Sequence, residues 1–165
     1  MAQGVGEGPN TNECAFSRVE NLLKQRGVTY QVLRHAAVFT SQEAAAIRGV
    51  ALSTGAKALI CKADERFVML VIPADRKLDS KRVRQALKIH ALRFATPDEL
   101  RQLTGLTPGA VPPFGSLFGL TTYCDARLGE NERINFNAGD HSISVSLRYT
   151  DYLQAENPNL GSFTT

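Results

Sequence analysis

The chain is expected to form one α+β domain, built on a mixed, mostly antiparallel β-sheet or barrel with helices around it. Three observations predict this. Strand-like and helix-like stretches interleave, but without the strict strand–helix–strand rhythm of a parallel sheet. Two apolar runs, 56–63 and 67–72, are separated only by Asp64-Glu65-Arg66, which implies an antiparallel hairpin. The 165 residues, 43% of them hydrophobic, suit one domain with one sizeable core. Residues 1–12 are expected to be a disordered leader, 13–155 the folded unit, and 156–165 a loose tail.

The elements follow in order from local chemistry. Phe16, Val19, Leu22 and Leu23 share a helical face, and Gly27 is a stop signal. Tyr30 to Leu33 is a short strand. Thr40-Ser41-Gln42-Glu43 is a capping box that opens an alanine-rich helix ending near Gly49. The run 67–72 is apolar at every position, so its strand should be buried on both faces, with Pro73 ending it. Asp79 caps a helix running to about Lys88, with Val83, Ala86 and Leu87 facing inward. A brief strand at 92–95 precedes a second capping box, Thr96-Pro97-Asp98-Glu99, whose helix should stop at Gly105. A Gly/Pro-dense loop runs from Leu106 to about Ser116, and 117–124 reads as a strand. Strands at 134–137 and 142–147 follow; Ile143, Val145 and Leu147 alternate with serines, so one face should be buried. A last short helix starts near Thr150.

Composition excludes several classes. A formal charge of +3 is a weak bias toward anionic partners and does not by itself point to nucleic acid. The basic stretch from Arg76 to Lys88 reads first as a solvated helix face. Cys14, Cys61 and Cys124 form no CxxC pair, and their odd number argues against a disulfide framework, which fits a cytoplasmic setting. No apolar run approaches the roughly 20 residues of a membrane span, and the first dozen residues lack a signal peptide's basic and apolar regions.

Three constellations could carry chemistry. Lys57 lies in the apolar run Gly55-Ala56-Lys57-Ala58-Leu59-Ile60-Cys61, on one face with Leu59 and Cys61. A buried ammonium there would need an anion, whereas an edge-strand lysine would snorkel to water. His141 follows Gly139-Asp140 at the mouth of a strand. It is either a hydrogen-bonded structural residue or a wall of a cleft; no HxxxH or HExxH metal motif includes it. The loop 105–115 has neither a P-loop nor a dinucleotide-binding pattern, so it is a rigid connector or a wall of backbone groups holding a ligand or water. Asp140, His141 and Ser142 make a poor catalytic triad, because adjacent strand residues point to opposite faces.

Taken in order, Gly-x-Lys-x-Leu-x-x-Lys over 55–62, Thr-Gly-Leu-Thr-Pro-Gly-Ala-Val-Pro-Pro-Phe-Gly over 104–115 and Phe-Asn-Ala-Gly-Asp-His over 136–141 resemble the YbaK/prolyl-tRNA synthetase editing-domain superfamily. The resemblance covers about residues 15–155 and implies a freestanding, ProXp-type aminoacyl-tRNA deacylase. The expected partner is mischarged tRNA, most of all tRNA-Pro, with transient association with an aminoacyl-tRNA synthetase and no membrane, cofactor or metal. The resemblance gives Lys57, Gly109, Gly115 and His141 the catalytic positions. Lys57 would hold the terminal phosphate or adenosine end, and the backbone at Gly109 and Gly115 would position ester and water. Thr40, Pro113, Phe114, Ser116, Gly139, Asp140 and Ser142 would bind substrate, with Thr40, Ser116 and Ser142 as partners for a substrate hydroxyl. The amino acid removed is expected to be small, of the Ala, Ser or Thr class; some alanine-specific members carry Asn directly after the lysine whereas this chain has Ala58, so serine, threonine or a small non-protein amino acid stay open beside alanine. The alternatives are a non-catalytic tRNA- or synthetase-binding module, a cysteinyl-tRNA-Pro deacylase and a small-molecule esterase.

Overall fold

The computed structural model describes residues 11–165. The leader expected over 1–12 lies outside the described residues, apart from its last two positions, which open the first helix. In chain order the helices are α1 (Thr11–Gln25), α2 (Ser41–Arg48), α3 (Ser80–Leu87), α4 (Pro97–Thr104) and α5 (Tyr149–Glu156). The strands are β1 (Tyr30–Arg34), β2 (Ala56–Ala63), β3 (Arg66–Pro73), β4 (Leu92–Phe94), β5 (Thr121–Asp125), β6 (Arg133–Asn137), β7 (Ile143–Arg148) and β8 (Asn159–Gly161).

These strands make two open sheets rather than a closed barrel. One is antiparallel, in the order β1-β7-β6; the other is mixed, in the order β4-β2-β3-β5-β8, with β5 and β8 added in parallel. A single parallel bridge, Gly55 to Asn135, joins β2's approach to β6. Asn135 Nδ2 also donates to Thr54 Oγ1 at 3.0 Å beside that bridge. Beyond this vertex the two strands diverge. Two residues on along each of them stand Lys57 and Asn137, on opposite sides of the resulting cleft.

The hairpin β2–β3 pairs Ala63 with Arg66 across Asp64-Glu65, one residue tighter than the sequence suggests. Asp64 takes a positive φ of 52° there, and its carboxylate accepts from the amides of His90 and Ala91. β3 is buried on both faces, as its composition predicts. Met69 and Val71 face the main core with Phe16, Val19 and Leu23 of α1, while Val68 and Leu70 face a smaller core with Val83 of α3 and Phe163. Burying side chains of this size stabilises the fold by about 1.5–3 kcal/mol each.

Three expectations are corrected. The segment 117–124 is not one strand: Gly115–Phe118 is a 3-10 turn closed by Gly119 at φ 69°, and β5 starts only at Thr121. β7 is covered on both faces near its start, because Ser144 is only 3% exposed. The segment 156–165 is not loose: β8 pairs with β5, and the Asp125 carboxylate accepts from the Phe163 amide and the Thr164 hydroxyl, both residues being buried.

Candidate active site

The cleft between the diverging strands is a cavity of about 650 Å³. One wall is the stretch 56–59 of β2. β4 pairs only with residues 61–63, and Ala95 donates to the Ile60 carbonyl, so 56–59 has no strand on its cavity side. Lys57 is exposed on this wall, so of its two readings the edge-strand lysine reaching water holds and the buried ammonium does not. It does share a face with Leu59 and Cys61, but the cover over that face, from α3 and Phe163, ends before it. Arg76 and Lys77 lie on the same side of the cavity, with Asp75 as the acidic residue between strand and bases.

The opposite wall is built on β6, β7 and α2. Thr40 caps α2, its hydroxyl accepting from the Glu43 amide at 3.1 Å, and Gly49 closes the helix in the left-handed region at φ 70°. The helix thereby delivers Arg48 to the cavity. Arg48 Nε donates to Ser144 Oγ and its Nη2 to Asn137 Oδ1, each at 2.8 Å. Asn137 and Ser144 are directly opposed across the β6–β7 ladder, so one guanidinium spans one cross-strand pair. Behind it, His35 Nδ1 donates to the Ala36 carbonyl at 2.8 Å, so in the neutral ring Nε2 accepts from Ser144 Oγ at 2.7 Å. Arg48 makes no ion pair among the described residues, and burial lowers its pKa to about 10.

The roof is the outer half of the loop 105–115. Gly109 has a φ of 84°, and a Cβ there would stand 3.2 Å from His141 Cε1; both features call for glycine. Its carbonyl accepts from Asn137 Nδ2, and the Ala110 carbonyl accepts from the Gly139 amide, both at 2.8 Å. Gly109 and Val111 line the cavity, and among the described residues neither amide donates to a protein acceptor. His141 closes one end: its Nε2 lies 3.2 Å from Thr107 Oγ1, its ring centroid is 4.8 Å from that of Phe39, and its Nδ1 is buried without a partner.

Of the eleven expected site residues, the cavity brings together Thr40, Lys57, Gly109 and His141. The inner half of the loop belongs to the core instead. Phe114 packs edge-on against Phe136 and Tyr152, the Pro113 carbonyl accepts from Tyr152 Oη at 2.7 Å, and the Gly115 amide donates to Thr122 Oγ1 at 3.0 Å. Ser116 is bound to Glu156. Gly139, Asp140 and Ser142 shape the β6–β7 turn, where Asp140 Oδ1 accepts from the Ser142 amide and hydroxyl. The three hydroxyls expected to meet a substrate hydroxyl are thus engaged elsewhere, Thr40 by Glu43. The sequence reading missed Arg48 and Asn137; the signal available was an arginine in the last turn of a short, otherwise alanine-rich helix. Among the described residues no group of three or more His, Cys, Asp or Glu side chains is placed to hold a metal ion, and no helix is long and apolar enough to cross a membrane.

The family model for the aminoacyl-tRNA editing domain matches residues 35–155, which include every wall of this cavity. The chain belongs to the aminoacyl-tRNA editing domain family. Among its relatives, this editing domain is 38% identical over 153 residues to the multifunctional Ser/Thr-tRNA deacylase ProXp-y of Escherichia coli (strain K12), covering 88% of the chain and 90% of the relative. It is 30% identical over 106 residues to the proline–tRNA ligase of Bacillus subtilis (strain 168), covering 63% of the chain but 19% of that protein. A crystal structure described as a proposed trans-editing enzyme for prolyl tRNA synthetase superposes with a TM-score of 0.80 at 23% identity, covering 92% of this editing domain and 97% of that chain; the likeness fixes the fold alone.

Proposed function

We propose that this protein hydrolyses the ester of mischarged aminoacyl-tRNA in trans, with seryl and threonyl esters as substrates and tRNA-Pro among the tRNAs. The observation that carries this is the cleft itself: an open, net cationic cavity where Lys57, the Gly109 loop and His141 meet, in a chain whose near-full-length relative is a Ser/Thr-tRNA deacylase.

The geometry supports a division of labour. Lys57, with Arg76 and Lys77 on its side, is exposed, as suits the phosphates of an RNA 3′ end. At Gly109 and Val111 the loop carries amides with no protein acceptor among the described residues, on a backbone pinned by Asn137 and Gly139, which suits the preorganised donor surface that acyl transfer requires. His141, tied to Thr107 and covered by Phe39, acts as a wall rather than as a proton carrier. A vicinal ribose hydroxyl of the substrate can assist the attacking water, so no strong general base is demanded of the protein.

The test is a deacylation panel: tRNA-Pro charged in turn with Ala, Ser, Thr, Cys and Pro, together with Ser- and Thr-charged cognate tRNAs. Hydrolysis of the Ser and Thr esters ahead of the others is expected. Salt-sensitive tRNA binding with no turnover at enzyme excess would replace the hydrolase with a binding module.

A further inference from the structure

We propose that Arg48 is the anion-holding residue of the inner wall, receiving the charge that develops on the ester carbonyl oxygen and then the carboxylate of the released amino acid. This rests on the hydrolase reading above.

A half-buried guanidinium is costly unless paired, yet both acceptors of Arg48 are neutral: Ser144 Oγ and Asn137 Oδ1. Its charge is not cancelled by a carboxylate among the described residues, and burial alone pulls its pKa down. Two of its five N–H donors are used, which leaves three for a ligand. The side chain is held rather than loose, because Asn137 and Ser144 are themselves fixed, by Gly109 and His35. A structural cross-link between α2 and the sheet needs no charge in a cavity wall; a site where negative charge appears does. The exposed Lys57, Arg76 and Lys77 suit the phosphates, whereas Arg48 is linked through the Asn137 amide to Gly109, where the ester would be placed.

Water adds to the carbonyl carbon, and the C=O pair moves onto oxygen beside Arg48. Collapse restores the carbonyl and breaks the bond to the ribose oxygen, which takes one proton of the water. The other proton leaves to solvent, and the amino acid departs as a carboxylate.

Two measurements decide it. In single-turnover deacylation of Ser-tRNA, Arg48→Gln is expected to lower the rate constant by about 100-fold, with uncharged-tRNA affinity changed less than about twofold and Arg48→Lys in between. A rate within about threefold of wild type in folded Arg48→Gln overturns the proposal, as does a loss confined to tRNA binding. Independently of activity, free L-serine should shift the Arg48 Nε–H resonance, whereas L-serinamide, which lacks the carboxylate, should not. Equal responses to both overturn the proposal. A wild-type protein that hydrolyses nothing in the panel but binds serine through Arg48 would defeat the hydrolase reading and leave the anion site standing.

Discussion

Asn137 holds Gly109 in place: its Nδ2 donates to the Gly109 carbonyl at 2.8 Å, so the end of β6 fixes the height of the loop over the cleft. Its Oδ1 meanwhile accepts from Arg48, so one side chain sets roof and wall together. Asn137→Ala removes both bonds and is expected to cost about 2–4 kcal/mol of stability, roughly 1 for the bond to the Gly109 carbonyl and roughly 1.5–3 for the one from the charged Arg48. It should lower single-turnover deacylation by about tenfold, because the loop loses its register. Urea unfolding and the deacylation rate, measured on one preparation, check both.

Gly109→Ala introduces a Cβ 3.2 Å from His141 Cε1 at a φ of 84°. The left-handed backbone alone costs about 1–2 kcal/mol. Gly119→Ala is the matched control, since Gly119 also has a positive φ, 69°, but open space around it. Gly109→Ala should lose at least as much stability as Gly119→Ala in thermal melts, the excess measuring the contact with His141. Only Gly109→Ala should lose activity, by more than about tenfold, because only there must the imidazole or the loop move.

Lys57→Ala should leave the fold within about 0.5 kcal/mol of wild type, as expected for an exposed side chain. Deacylation at sub-saturating protein should nearly vanish, and the slope of log affinity for tRNA against log salt should fall by about 1. Binding isotherms across a salt series measure the slope. An unchanged slope with full activity would remove Lys57 from the site.

The Glu99 carboxylate is held down to about 2 from an ordinary 4.5 by Arg93, with help from the Thr96 amide. Its pKa is depressed on folding, so the stability it adds is complete above about pH 4.5 and is lost as pH falls toward about 2. Glu99→Gln should therefore flatten the fall in urea midpoint between pH 5 and pH 3 (roughly, the window of that shift), while leaving deacylation at neutral pH unaltered.

Glu99 also shows what was legible in the sequence. Thr96-Pro97-Asp98-Glu99 is a local code, and the structure forms both reciprocal bonds of the capping box. The apolar run 67–72 of β3 was legible for a similar reason, since burial on both faces leaves no polar position there. The family was legible from three spaced motifs. What failed was non-local. Lys57 has apolar strand neighbours, but its exposure depends on where α3 stops covering the sheet. Ser144 alternates with apolar residues as a solvent-facing serine would, yet it is buried by His35 and Arg48, which lie more than 90 positions away. Pro113, Phe114 and Gly115 belong to the motif that carries the resemblance and Ser116 follows it, but their partners are Phe136, Tyr152, Thr122 and Glu156, and their task is to anchor the loop. A motif marks a segment that must be kept; only tertiary structure separates the residues that face the ligand from those that hold them.

The bridge between Gly55 and Asn135 has a bearing on selectivity. Both walls of the cleft start there, and Gly55 packs so closely that a Cβ would come within 2.9 Å of the Ala74 side chain. Like the pivot of a pair of callipers, the bridge sets how wide the jaws stand at Lys57 and Asn137, and the close fit of Gly55 on Ala74 holds one jaw to its sheet. The size of acyl group admitted is then partly a matter of angle, adjustable from residues that touch no substrate at all.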